Sequence, residues 1–126
     1  MAVAIGIARE TATGERRVAL TPETCGKLVK AGGTVRIERG AGVGAGFTDA
    51  MYGTAGAQVV DDARTATADA DIVLCVQAPD PARIASLKPG AVLVGLLQPQ
   101  SDPARGEAIS TRGVICLLYT SDAADD

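Results

Sequence analysis

Histidine is missing altogether from these 126 residues. That removes the usual general base at neutral pH and the commonest metal ligand. Tryptophan is absent too, and Phe47, Tyr52 and Tyr119 are the whole aromatic content. A core here must be built from Ala, Val, Ile and Leu. No apolar run reaches the length that spans a bilayer. The three cysteines, Cys25, Cys75 and Cys116, lie far apart and form no Cys-x-x-Cys pair, so zinc and redox motifs are excluded. No metal site is expected. An odd number of thiols with no signal peptide fits a reducing cytoplasm. Charge of one sign is also scarce: the net charge is −3, and Asp122, Asp125 and Asp126 account for the imbalance. Such a balance argues against a nucleic-acid partner.

What is present is a chain of one-domain size, with 47% of its residues apolar. Ala2–Ile7 is apolar almost throughout, as a strand buried on both faces must be. A helix follows at Pro22, with Thr21 as its N-cap and Pro22 at the first helical position. Leu20 and Cys25 are placed to form a hydrophobic staple, and Gly32-Gly33 ends the helix. Thr34–Glu38 alternates and reads as a half-buried or edge strand. A glycine-rich loop spans Gly40–Gly46, and Thr48 or Asp49 caps a short helix. Short elements follow at Ala57–Val60 and Ala63–Ala68. Ile72–Val76 and Ala91–Leu97 are continuous apolar runs, hence central strands, separated by a helix over Asp80–Leu87. Another helix is expected from Asp102-Pro103, and Val114–Leu118 is the last strand. Strands alternating with helices predict an α/β fold, a parallel-sheet, Rossmann-like (flavodoxin-like) domain.

Ligands in such sheets sit beyond the carboxyl ends of the strands. Three segments arrive there: Arg9–Arg17, Gln77-Ala78-Pro79 and Gln98-Pro99-Gln100. Arg17, Gln77 and Gln98 therefore form the candidate substrate or anion cleft. A guanidinium fork suits a carboxylate. The competing account pairs Arg16 and Arg17 with Glu10, Glu15 or Glu23 at the surface and lets the glutamines satisfy loop backbone. No residue is assigned a catalytic or cofactor-binding role. Gly40-Ala41-Gly42-Val43-Gly44-Ala45 formally satisfies a dinucleotide fingerprint. That motif needs a helix opening inside the glycines, and here Gly46 and a new cap at Thr48 come next. The glycines read as a loop.

Several blocks together carry a family resemblance. They are Ile5-Gly6-Ile7-Ala8-Arg9-Glu10, Glu15-x-Arg17-Val18-Ala19-Leu20-Thr21-Pro22, Gly40-Ala41-Gly42, Ala55-Gly56-Ala57 and Asp69-Ala70-Asp71-Ile72-Val73. In order and spacing the chain resembles the N-terminal domain shared by alanine dehydrogenases and the alpha subunit of proton-translocating NAD(P) transhydrogenase. The resemblance implies that the nicotinamide-binding Rossmann unit lies later in the chain, outside these residues. In alanine dehydrogenases the arginine matching Arg17 binds the substrate carboxylate, and a lysine and a histidine complete the site. Those positions match Gln77 and Gln98 here, and glutamine cannot shuttle a proton near pH 7. The resemblance therefore favours the transhydrogenase branch.

In that branch NAD and NADP serve the full enzyme, and neither is expected to bind tightly to this fragment. The implied partners are the remainder of the alpha subunit and a membrane, NADP-binding beta subunit. A homo-oligomer is expected, on the cytoplasmic side of the membrane, with this chain soluble. The family-like domain is taken as residues 1–115. Residues 116–126 match nothing in the family and are expected to be a non-native tail. Two alternatives differ in class. One is an alanine-dehydrogenase-like amino-acid dehydrogenase. The other is a non-catalytic, stand-alone binding module.

Overall fold

The computed structural model describes residues 3–10, 14–77, 81–96 and 115–118. The first strand, β1 (Ala4–Ile7), sits inside a six-stranded sheet. The helix α1 (Pro22–Lys30) returns the chain to β2 (Thr34–Glu38), and α2 (Asp49–Thr54) leads to β3 (Gln58–Val60). Then α3 (Ala63–Thr67) carries the chain back across the sheet to β4 (Ile72–Gln77), on the far side of β1. The helix α4 (Pro81–Ala85) joins β4 to β5 (Val92–Leu96), and β6 (Ile115–Leu118) closes the series. Every strand pair is parallel, in the order β3-β2-β1-β4-β5-β6.

That order is the doubly wound Rossmann one. Without the three-residue β3, the other five strands run in flavodoxin order, so the expected α/β fold stands. The helix expected from Asp102-Pro103 and the loop at Gln98 lie outside the described residues. β6 takes in Cys116–Leu118, the first residues of the segment assigned to a tail. β2 is half-buried, as its alternation predicts, but it is not an edge strand. The short β3 pairs along Arg36–Glu38 and covers it.

The helix ends follow their sequence signals. Thr21 accepts from the Thr24 N–H, Pro22 opens α1, and Glu23 lies in its first turn. At the other end Gly32, at φ 105°, donates to the Val29 carbonyl, and Gly33 donates to that of Leu28. This pair of hydrogen bonds is the Schellman stop, and it needs a left-handed residue where glycine stands.

Two layers of helix sandwich the sheet. Ile5, Ile7, Val35 and Ile37 point to one face and pack in a single cluster with Leu20, Cys25 of α1 and Tyr52 of α2. Residues one step along a strand point to the opposite face. There a Cβ on Gly6 would lie 2.2 Å from the Ala66 carbonyl oxygen, so glycine is what lets α3 rest on β1. Val73, Leu93 and Ala91 meet Ile84 and Leu87 in a second cluster.

Candidate functional site

The chain enters the site from β1. Its exit residues are tied to both neighbouring strands by carboxylates. The Arg9 N–H donates at 2.7 Å to Oε1 of Glu38, the last residue of β2. On the other side the Val76 N–H donates to Glu10 Oε2 at 2.8 Å. That second bond answers a local irregularity. Leu74 pairs with Val94 but Gln77 with Leu96, so β4 carries one extra residue as a bulge. Gly95 lies opposite, where a Cβ would meet the Cys75 carbonyl oxygen at 2.3 Å. A bulge withdraws backbone groups from the ladder, and Glu10 supplies the missing acceptor.

The arm from Gly14 to Leu20 then crosses the carboxyl ends of the strands. Arg17 and Glu15 form a fork-to-fork pair: Nε to Oε2 at 2.8 Å and Nη2 to Oε1 at 2.9 Å. The Arg17 backbone N–H donates to the same Oε2 at 2.9 Å. The Glu15 side chain is 6% exposed and that of Arg17 60%. Hydrogen bonding and charge from Glu15 raise the Arg17 pKa above its ordinary value, so the guanidinium is a permanent cation. At the arm's far end the Tyr52 hydroxyl donates to the Leu20 carbonyl at 2.7 Å. Burial, and then the nearby Cys25 thiol, push that phenol up to about 12.

Arg17 lies between two clefts. One, of about 290 Å³, is lined by Arg9, Glu10, Glu15, Arg16, Arg17, Gly40, Ala41, Val43 and Gly44. The other, of about 360 Å³, is largely apolar, with Arg17, Val18 and Ala19 facing Leu74, Cys75, Val76, Val94 and Gly95. Of the three sequence candidates, Arg17 is thus at the cleft. Gln77 is the last residue of β4, at the same end of the sheet. Gln98 lies outside the described residues. Arg17 pairs with Glu15, as the surface-pairing account expects, and also lines both clefts.

The glycine loop joins the site in another way than a dinucleotide motif would. It holds a single 3-10 turn at Val43–Ala45, ended by Gly46 at φ 90°. A Cβ at Gly42 would lie 2.6 Å from the Tyr52 ring, and one at Gly44 would lie 3.1 Å from the Arg16 carbonyl oxygen. These glycines are consumed by packing on Tyr52 and on the arm, and they leave no cradle for a pyrophosphate. Among the described residues no group of His, Cys, Asp or Glu side chains is arranged to hold a metal ion. None of their helices is long and apolar enough to cross a membrane.

Sequence reasoning alone misses the Glu10 clamp, the Tyr52 strut and the glycine loop as a wall of the cleft. The last had a signal: β1 and β2 are consecutive parallel strands, so the loops after both must open on the same side. The family model described as "Alanine dehydrogenase/PNT, N-terminal domain" matches residues 6–121. The chain belongs to this family.

Alanine dehydrogenase of Bacillus subtilis (strain 168) is 35% identical over 115 residues, covering 91% of this chain and 30% of that protein. NAD(P) transhydrogenase subunit alpha of Cereibacter sphaeroides is 38% identical over 109 residues, covering 86% of this chain and 21% of that protein. Among solved structures, an L-alanine dehydrogenase superposes with a TM-score of 0.86 at 36% identity, over 91% of this chain and 32% of that one. This alanine dehydrogenase/PNT domain thus spans about a fifth to a third of the length of these relatives. Both branches of this oxidoreductase family match it, at similar identity.

Proposed function

We propose that this chain is the N-terminal part of a NAD(P) transhydrogenase alpha subunit. In that reading the complete protein transfers hydride between NAD(H) and NADP(H), coupled to proton translocation, and the fragment alone is not catalytically complete. The observation that supports the reading is the identity of residue 77: a glutamine ends β4, one position after Val76 of the cleft that Arg17 lines. An amino-acid dehydrogenase of this family would need a lysine there and a histidine at Gln98, and the chain has no histidine. What the cleft retains is a permanent cation. Arg17 can bind and orient a carboxylate, but glutamine offers no proton to give or take near neutral pH.

The partners in this reading are the remainder of the alpha subunit and a membrane, NADP-binding beta subunit, in a homo-oligomer on the cytoplasmic side. Residues 1–115 are taken as the body of the domain, with the family match running on to residue 121 and β6 to Leu118 before the end of the chain. The test is to sequence the parental DNA beyond the Ile115 codon, then express and assay the continuous reading frame. Hydride exchange between NADH and an NADP analogue, in the presence of an NADP-binding component, supports the reading. Alanine-dependent reduction of NAD overturns it in favour of the dehydrogenase branch. A native stop codon after Asp126 overturns it in favour of a stand-alone binding module.

A further inference from the structure

The smaller cleft is lined by more cations than anions. Arg9, Arg16 and Arg17 converge on it against Glu10 and Glu15. Both acids are engaged. Glu15 holds the Arg17 fork through both oxygens, and Glu10 accepts from the Val76 N–H across the β1–β4 seam. Among the described residues the guanidinium groups of Arg9 and Arg16 have no hydrogen-bond or ion-pair partner, unlike that of Arg17. Their backbones, by contrast, are fixed. The Arg9 N–H is bound by Glu38, and Arg16 lies against Gly44 so closely that a methyl group there would crowd it. Two anchored cations on one cleft, with no acid paired to them among the described residues, cost electrostatic energy that an incoming anion relieves.

Arg17 also keeps capacity. A guanidinium has five N–H donors, and Glu15 takes the Nε and one Nη2 donor. The remaining donors can bind a ligand carboxylate while Glu15 holds the plane of the fork. We propose that this cleft binds a small dicarboxylate, one carboxylate on Arg17 and the second on Arg9 and Arg16. The inference rests on the reading of Arg17 as a carboxylate site, and it adds the class of ligand. Glu15 is then a positioning residue, orienting Arg17 without touching the ligand.

Succinate and butyrate separate the two carboxylates, because they share a four-carbon length and differ by one charged group. Titrations of the 126-residue chain by calorimetry, at matched ionic strength, should give succinate at least about tenfold tighter than butyrate. Arg9→Gln and Arg16→Gln should each weaken succinate about tenfold and leave butyrate unchanged, with circular dichroism confirming the fold. Arg17→Gln should weaken both. Equal affinities for the two acids, with Arg17→Gln still weakening both, overturn the dicarboxylate and spare the Arg17 site. Succinate binding that survives Arg9→Gln and Arg16→Gln also overturns the dicarboxylate assignment. Saturable binding of neither acid overturns the Arg17 site and the dicarboxylate together.

Discussion

Tyr52→Phe removes one oxygen from the protein and tests how the arginine arm is held. Tyr52 is 1% exposed, and its ring meets Phe47 edge to face, with centroids 6.4 Å apart and planes at 84°. Phenylalanine keeps that packing. What it loses is the bond to the Leu20 carbonyl, one residue before the cap of α1. An acceptor left unpaired in a buried site costs about 1–3 kcal/mol, so stability at pH 7 should fall by about that much.

The pH dependence gives a second reading. Burial holds the phenol neutral up to about 12, against about 10 in the unfolded chain. The folded state favours the protonated form, so this contribution is complete below about pH 10 and is lost as pH rises towards 12. Each pH unit between the unfolded and folded values is worth ~1.4 kcal/mol, which makes the alkaline loss roughly 2–3 kcal/mol. The Cys25 thiol is also pushed up by burial and adds an alkaline loss of its own. The difference between parent and variant therefore reports Tyr52 together with its coupling to Cys25. Urea unfolding across neutral and alkaline pH measures it. Stabilities within about 0.5 kcal/mol at pH 7, or parallel profiles up to about pH 12, would refute the reasoning.

Two other substitutions test the frame. Gly6→Ala should destabilise by about 3 kcal/mol or abolish folding, because the added methyl overlaps the Ala66 carbonyl, a backbone atom that cannot swing aside. Thermal unfolding followed by circular dichroism measures it, and a near-parental midpoint would mean that α3 sits farther from β1. Asp71 accepts from the Ala4 N–H at 2.9 Å and pairs with Lys88. The Lys88 contact first, and then the Ala4 bond, hold its carboxyl below the usual range. Its stabilisation is therefore present above about pH 4 and is lost as pH falls through the lowered folded value. Asp71→Asn should flatten the acid side of the stability profile, and an unchanged acid limb in urea titrations would count against the pairing.

The regular frame is legible because each element carries its own local signal. Thr21-Pro22 and Gly32-Gly33 bracket α1, and the apolar run Ile72–Val76 marks a strand buried in the middle of the sheet. β2 shows the limit of such reading. Alternation in Thr34–Glu38 says that one face is buried but not that β3 will cover the remaining edge. The bulge in β4 is invisible to periodicity because the residues around it, Leu74, Cys75 and Val76, are all apolar. Its consequence, the Glu10 clamp, joins residues 66 positions apart. Tyr52 reaches Leu20 across 32 positions, and nothing near either residue announces the other. Arg17 is legible from its place before a capped helix. Its bidentate bond to Glu15 is not, because Glu10 and Glu23 lie within reach along the same stretch of sequence.

The seam between β1 and β4 also orders events during synthesis. The bond from the Ala4 N–H to Asp71 closes a span of 67 residues, and the Val76–Glu10 bond closes one of 66. Every strand pair on the other side of β1 is made from chain that emerges earlier. Long closures of this kind are slow compared with neighbouring strand–helix–strand units. A nascent chain therefore holds β1, β2 and β3 with one flank of β1 bare until residues 71–77 clear the ribosome. That flank, lined by Ile5 and Ile7 backbone, is the surface on which a stalled or truncated chain would pair with a neighbour. The two carboxylates at its ends mark where the native partner strand docks.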